Sequence, residues 1–364
     1  MKKENFFKRN WLVMLCGLLV GAAAVFLTCQ GNPKNMGFCI ACFLRDIAGS
    51  MGLQSAGATA ENAAGIVSNF RPEIIGIIAG ACIMAFVGKE FKPKGGSSPF
   101  TRFFLGVIVM MGALVFLGCP LRMVIRIGGG DMNAIMGLIG FVIGILVGII
   151  FLKKGFSLGR AYKQSKADGL AFPSVMVGLF IASVAITLFR TSLSGPGSQY
   201  APWYIALVVA LIVGALAQRS RLCMVGGLRD AVMFKEFGLL AGFVCIIIAV
   251  MGGNLIFGDG LSFSFEGQPI AHTEWLWNML GMTVVGWGCC LLGGCPLRQL
   301  VLAGEGNSDS AITVFGMIVG GALSHTLKIA SSGTGTGDNG PTATIVCLVV
   351  LLVVSIFNLK KENA

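Results

Sequence analysis

Apolar residues in this chain come in long runs separated by short polar, glycine-rich segments. The runs cover approximately residues 11 to 28, 74 to 88, 103 to 118, 134 to 152, 173 to 190, 203 to 218, 238 to 257, 275 to 293, 311 to 328 and 343 to 358. A helix needs roughly 20 apolar residues to cross the hydrocarbon core of a bilayer, so the shorter runs must extend into the small and polar residues beside them. The pattern predicts an all-α polytopic membrane protein with about ten transmembrane helices.

Composition strengthens that picture, because 55% of the 364 residues are hydrophobic, 12% are charged and 53 are glycine. Soluble domains carry roughly 25% charged residues. The basic stretch Met1 to Asn10, the apolar run after it and Ala22-Ala23-Ala24 together resemble a cleaved signal peptide. Residues 203 to 218 precede a repeated motif just as 11 to 28 precede its first copy, so the leading helix is expected to stay in the protein.

Charge then sets orientation. With the N-terminus inside, one side collects Lys2, Lys3, Lys8 and Arg9, then Lys89, Lys92, Lys94 and Arg102. It also collects Lys153, Lys154, Arg160, Lys163 and Lys166, then Arg219, Arg221 and Lys235, and finally Lys360 and Lys361. The opposite loops at 191 to 202, 258 to 274 and 331 to 342 hold no lysine or arginine. Basic residues favour the cytoplasmic side, so N-terminus and C-terminus are both expected inside. The net charge of +11 is mostly this topology signal, and a nucleic-acid surface is excluded.

Two motifs occur once in each half. Cys39-Ile40-Ala41-Cys42-Phe43-Leu44-Arg45-Asp46 returns as Cys223-Met224-Val225-Gly226-Gly227-Leu228-Arg229-Asp230. Gly118-Cys119-Pro120-Leu121-Arg122 returns as Gly294-Cys295-Pro296-Leu297-Arg298, and Gly140/Gly144 match Gly316/Gly320 at the same offset of 176 residues. Five spans between the copies make this an inverted 5+5 repeat, with halves at about 11–190 and 203–358 that together form one transport domain. Transporters of that architecture place their sites between broken helices near the midplane.

In Gly-Cys-Pro-Leu-Arg, proline ends the preceding helix and suits the first position of the next, which puts the cysteine at the N-cap. Pro120 to Ile127 is long enough only for a short re-entrant half-helix of about 12 Å. Its positive end favours an anion beside Cys119, and the same holds at Cys295. Arg45 and Arg229 each have an adjacent aspartate to neutralise them, whereas Arg122 and Arg298 have none and are the better candidates for substrate contact.

Free thiols are common in apolar helices, so Cys16, Cys82, Cys245 and Cys347 are read as packing. Cys39, Cys119, Cys223 and Cys295 differ because the duplication retains all four. Cys29, Cys42, Cys289 and Cys290 remain ambiguous. The Cys39/Cys42 CxxC has Gly226 in place of its second cysteine in the other half, which argues against a symmetric metal site. His272 and His325 read as satisfied polar residues, the four-residue glycine spacings as helix-packing devices, and no nucleotide or cofactor motif is present.

These motifs and the ten-run duplicated layout resemble the YeeE/YedE membrane protein family, most of all its YedE branch of proposed selenium transporters. The resemblance implies a multi-pass protein of the bacterial inner membrane that takes up a small sulfur or selenium anion, with thiosulfate the known substrate type. It further implies a path of cysteines carried over to Cys39, Cys119 and Cys295, with Cys223 added by the internal repeat. A TusA-like sulfur carrier is the implied cytoplasmic partner. A thiosulfate-like ion suits the derived chemistry, since arginine and helix N-termini hold its oxygens while a thiol meets its soft sulfur.

Two other readings use the same residues: a membrane thiol-disulfide relay, and a sulfur-transfer enzyme that cleaves its substrate at Cys295. Transport is favoured over the relay because single repeated cysteines beside arginine outnumber paired ones. Asp131, Glu236, Glu305 and Asp309 lie near helix ends and suggest no proton relay.

Overall fold

The computed structural model describes residues 6–54, 68–186, 189–258 and 260–359. Lys2, Lys3, Lys360 and Lys361 therefore lie outside the described residues. The chain is nearly all helical. The first seven helices are α1 (Phe6–Cys29), α2 (Ile40–Ser50), α3 (Pro72–Val87), α4 (Pro99–Val115), α5 (Pro120–Gly128), α6 (Asn133–Lys153) and α7 (Lys166–Ala185). The next seven are α8 (Trp203–Ser220), α9 (Met224–Phe234), α10 (Gly238–Phe257), α11 (Trp275–Leu292), α12 (Pro296–Gly304), α13 (Ser308–Thr326) and α14 (Gly340–Phe357). Two two-residue strands, β1 (Lys94–Gly95) and β2 (Tyr162–Lys163), pair antiparallel.

Among the described residues, eight helical stretches are long and apolar enough to cross a membrane. Three of them contain a break and join a long helix to a short one: α4 with α5, α8 with α9, and α11 with α12. Each apolar run in the sequence corresponds to a helix, but α3 is shorter at 16 residues and α13, of 19 residues, is not among the eight.

The helices pack reciprocally, α4 against α13 and α11 against α6, α1 against α10 and α8 against α3. Glycine makes this possible. A Cβ on Gly140 would stand 1.8 Å from the Met279 carbonyl oxygen, and one on Gly316 would stand 2.1 Å from that of Phe103. Both partners of the first contact are shifted by the same offset in the second, so the repeated glycines seat equivalent helix crossings. Small residues of this kind let backbones approach where lipid supplies no hydrophobic drive.

The connecting segments gather into two groups. Lys94 pairs with Lys163 and Gly306, Ser157 with Asn358, Arg9 with Glu236, and Glu90 with Arg219 and Arg221. This basic face holds the described part of every segment expected inside. On the opposite face Asn32 bonds Ala201, Ser68 bonds Ser192, Arg71 bonds Pro196 and Gln199, and Asn133 bonds Phe265.

Candidate functional site

All four repeated cysteines are helix N-caps, of α2, α5, α9 and α12. The local cause is the same in α5 and α12: proline at the first position sets the helical φ and lacks the N–H that would go unpaired there. At α2 and α9 the cysteine sulfur itself caps the helix, Cys39 Sγ accepting from the Cys42 N–H at 3.3 Å and Cys223 Sγ from the Gly226 N–H at 3.3 Å.

The short helices meet in pairs at these caps. Cys39 and Cys119 are electrostatic neighbours, and the Cys119 thiol also faces the backbone N–H groups of Ala41 and Arg122. In the second half Cys223 Sγ lies 3.8 Å from Cys295 Sγ and accepts the Cys295 N–H at 3.5 Å. The Cys295 thiol faces the Arg298 N–H just as that of Cys119 faces Arg122. The repeated thiols thus form two pairs, each within one half. This corrects the expectation that single cysteines outnumber paired ones, because pairing depends on which helix starts come together in space, Cys39 with Cys119 and Cys223 with Cys295.

The two pairs differ in their surroundings. Cys42 joins the first, accepting from Arg122 Nη1 at 3.4 Å. At the matching place in the second half a side chain on Gly226 would meet Leu239 Cδ1 at 2.9 Å, so there is little room for a third thiol. Cys289 and Cys290, at the end of α11, are electrostatic neighbours of Cys223 instead. Cys42, Cys289 and Cys290 therefore belong with the repeated thiols, while Cys29 is exposed at the end of α1. Among the described residues no group of histidine, cysteine and carboxylate side chains is arranged to hold a metal ion.

The arginines separate into paired and unpaired. Arg45 and Arg71 both bind the buried Asp46, through Arg45 Nη2 to Oδ1 at 2.7 Å and Arg71 Nε to Oδ2 at 2.7 Å. Arg229 pairs with Asp230 at 2.9 Å. Arg298 has no adjacent carboxylate in the sequence but pairs in space with Glu305 at 3.1 Å. Those residues sit seven apart, at opposite ends of the short α12, so the helix brings the end of one motif back to its start. Arg122 alone of the candidate arginines is held without a carboxylate among the described residues. It donates from Nε to Asn35 O at 3.0 Å, from Nη2 to Ile270 O at 3.0 Å, and from Nη1 to Leu117 O and the Cys42 sulfur. A fully buried guanidinium with dipoles but no counter-charge around it is electrostatically incomplete.

Other residues brace this frame. Arg126 pairs with Asp131 at 2.6 Å and lies over the Phe116 ring at 4.3 Å. His272 Nε2 lies 2.9 Å from the Val115 carbonyl oxygen, beside the break between α4 and α5. Glu73 at the start of α3 is buried and accepts from Asn32 at 2.8 Å. Sequence reasoning missed Glu73, the Asp46–Arg71 contact and the carbonyls on Arg122; only the αL tolerance of Asn35 offered a local signal.

The comparisons with known proteins cover part of the chain. Residues 219–358, which include Cys223, Arg229, Cys295 and Arg298, match the family model described as sulphur transport. The thiosulfate transporter TsuA of Escherichia coli (strain K12) is 30% identical over 118 residues, an alignment that covers 32% of this chain and 32% of that protein. Through these residues and the paired motifs they carry, the chain is similar to the YeeE/YedE sulphur-transport family.

Proposed function

We propose that this protein takes up a small soft anion of the thiosulfate kind, or its selenium analogue, across the bacterial inner membrane. In this reading the basic face is cytoplasmic, the repeats at about 11–190 and 203–358 have opposite topology, and the anion passes from Cys39 and Cys119 to Cys223 and Cys295. The observation that carries it is the twofold occurrence of a thiol pair at short-helix N-caps with an arginine one turn on. Backbone N–H groups and a guanidinium suit the oxygens of such an ion, and a thiol suits its terminal sulfur. Several weak stations favour conduction, since a single tight site would not release its ion. A TusA-like carrier would receive the ion at the basic face. The name of the similar E. coli protein supports thiosulfate as the first substrate to test.

The test is uptake by cells lacking other sulfur importers, with thiosulfate, selenite and selenosulfate compared side by side. Uptake of thiosulfate or selenosulfate that depends on this protein supports the reading; no uptake of any of the three contradicts it.

A second reading, a thiol-disulfide relay, gains from the pairing of Cys223 with Cys295. It requires the pair to cycle through a disulfide during turnover, which alkylation trapping detects.

A further inference from the structure

The three carbonyls that hold Arg122 share an unusual backbone. Asn35, Leu117 and Ile270 have φ of 55°, 61° and 50°, all in the left-handed region. Asparagine tolerates this conformation, but for a β-branched isoleucine it is an outlier. Three left-handed residues from three separate segments converge on one guanidinium and leave it surrounded by backbone oxygens. Strained backbone persists where the surrounding structure imposes it, and it gathers at clamps and switches.

Their position gives the strain a purpose. Asn35 also lines a cavity of about 400 Å³ whose wall includes Cys29, Lys34, Gly129, Gln268 and Pro269. Asn35 and Pro269, the neighbour of Ile270, line this cavity, while the Asn35 and Ile270 carbonyls accept from the buried Arg122, which also donates to the buried Cys42 thiol. The segments carrying Asn35 and Ile270 thus touch both a chamber on the face away from the basic clusters and the arginine of the first thiol group.

We propose that Asn35 and Ile270 form a gate whose carbonyls occupy Arg122 in place of the anion. Leu117 sits in the α4–α5 break and stays with the arginine, whereas the other two carbonyls belong to connecting segments that can leave. An arriving anion takes over the Nε and Nη2 donors, because a charge-assisted hydrogen bond is stronger than one to a neutral carbonyl. The displaced backbone then relaxes from the left-handed conformation, so opening is driven jointly by the anion and by release of strain. This rests on reading the first thiol group as an anion station, and it adds how that station is closed when empty.

The experiment measures gating apart from transport. In a Cys29→Ser background, the rate at which a charged, membrane-impermeant methanethiosulfonate reagent labels Cys119 is read by mass spectrometry for the parent, Ile270→Pro and Ile270→Asn. Proline cannot adopt a positive φ, so Ile270→Pro withdraws the carbonyl and labelling accelerates at least roughly five-fold, the scale set by one left-handed residue. Ile270→Asn adopts the same φ with less strain, holds the gate shut and slows labelling by a similar factor. Unchanged or slower labelling in Ile270→Pro, or unchanged or faster labelling in Ile270→Asn, overturns the gate. Should the proline variant fail to insert, the asparagine variant decides alone. Labelling that follows the gate in a protein that takes up no thiosulfate would retain the gate and reject the transport reading.

Discussion

Cys223 and Cys295 place their sulfur atoms 3.8 Å apart, although 72 residues separate them in the chain. The contact joins the N-caps of α9 and α12, so both helix starts face the same point. A disulfide needs its sulfurs at about 2.05 Å, so the pair would have to close by well over an ångström to bond. If the pair serves as a binding station, both thiols stay reduced during turnover. Alkylation trapping of membranes actively taking up thiosulfate should modify both cysteines in full. Diamide should cross-link them and stop uptake, and a reductant should restore it. A disulfide that appears and disappears with each turnover would favour the relay instead.

Arg122 and Arg298 occupy matching places but should respond differently to substitution. Replacing Arg122 with lysine keeps a charge and loses the fork that reaches Asn35, Leu117 and Ile270 at once. Uptake at low thiosulfate should fall roughly ten-fold or more, with unchanged amounts of protein in the membrane. Arg298→Gln leaves Glu305 without its partner beside the inner path. The double variant Arg298→Gln/Glu305→Gln should therefore retain more uptake than Arg298→Gln alone, which a two-by-two comparison of initial rates checks.

Asp46 is shared by Arg45 and Arg71, and all three side chains are buried. Asp46→Asn removes the negative charge and leaves two buried guanidinium groups without a counter-ion. Breaking a buried pair in this way costs about 3–5 kcal/mol. The detergent-solubilised variant should unfold at a markedly lower temperature than the parent, whereas Asp230→Asn, at the more exposed equivalent pair, should lower it much less.

Gly140 supports the crossing of α6 on α11, where a Cβ would fall 1.8 Å from the Met279 oxygen. Even Gly140→Ala should force the helices apart and lower thermal stability, by about 1–3 kcal/mol if the helices shift as in other overpacked interiors. At Gly178 a Cβ meets nothing within 4 Å, so Gly178→Ala should be neutral or slightly stabilising.

The helices and their N-caps were legible in the sequence because both depend on local rules. Apolar runs located α1, α6 and α10 closely, and Cys-Pro fixed Cys119 and Cys295 as caps before any tertiary contact was known. The partners of the arginines were not legible in the same way. Asp46 beside Arg45 is a neighbour in sequence, but Arg71 reaches it from another segment. Ile270 meets Arg122 from the opposite half of the chain, through a backbone atom that no side-chain pattern reports. The thiol pairs lay between these cases: the repeat singled out the four cysteines, and only the approach of helix starts in space showed which two meet.

The central claim is that the repeated thiols are stations for a soft anion, and it is tested most directly by single-cysteine exchange at the two proline-flanked caps. Serine keeps the size and the hydrogen-bonding capacity of cysteine and removes the soft sulfur. Initial rates of radiolabelled thiosulfate uptake should be abolished by Cys119→Ser and by Cys295→Ser, with both proteins inserted at parental levels and melting near the parental temperature. Full uptake by both variants would contradict the account.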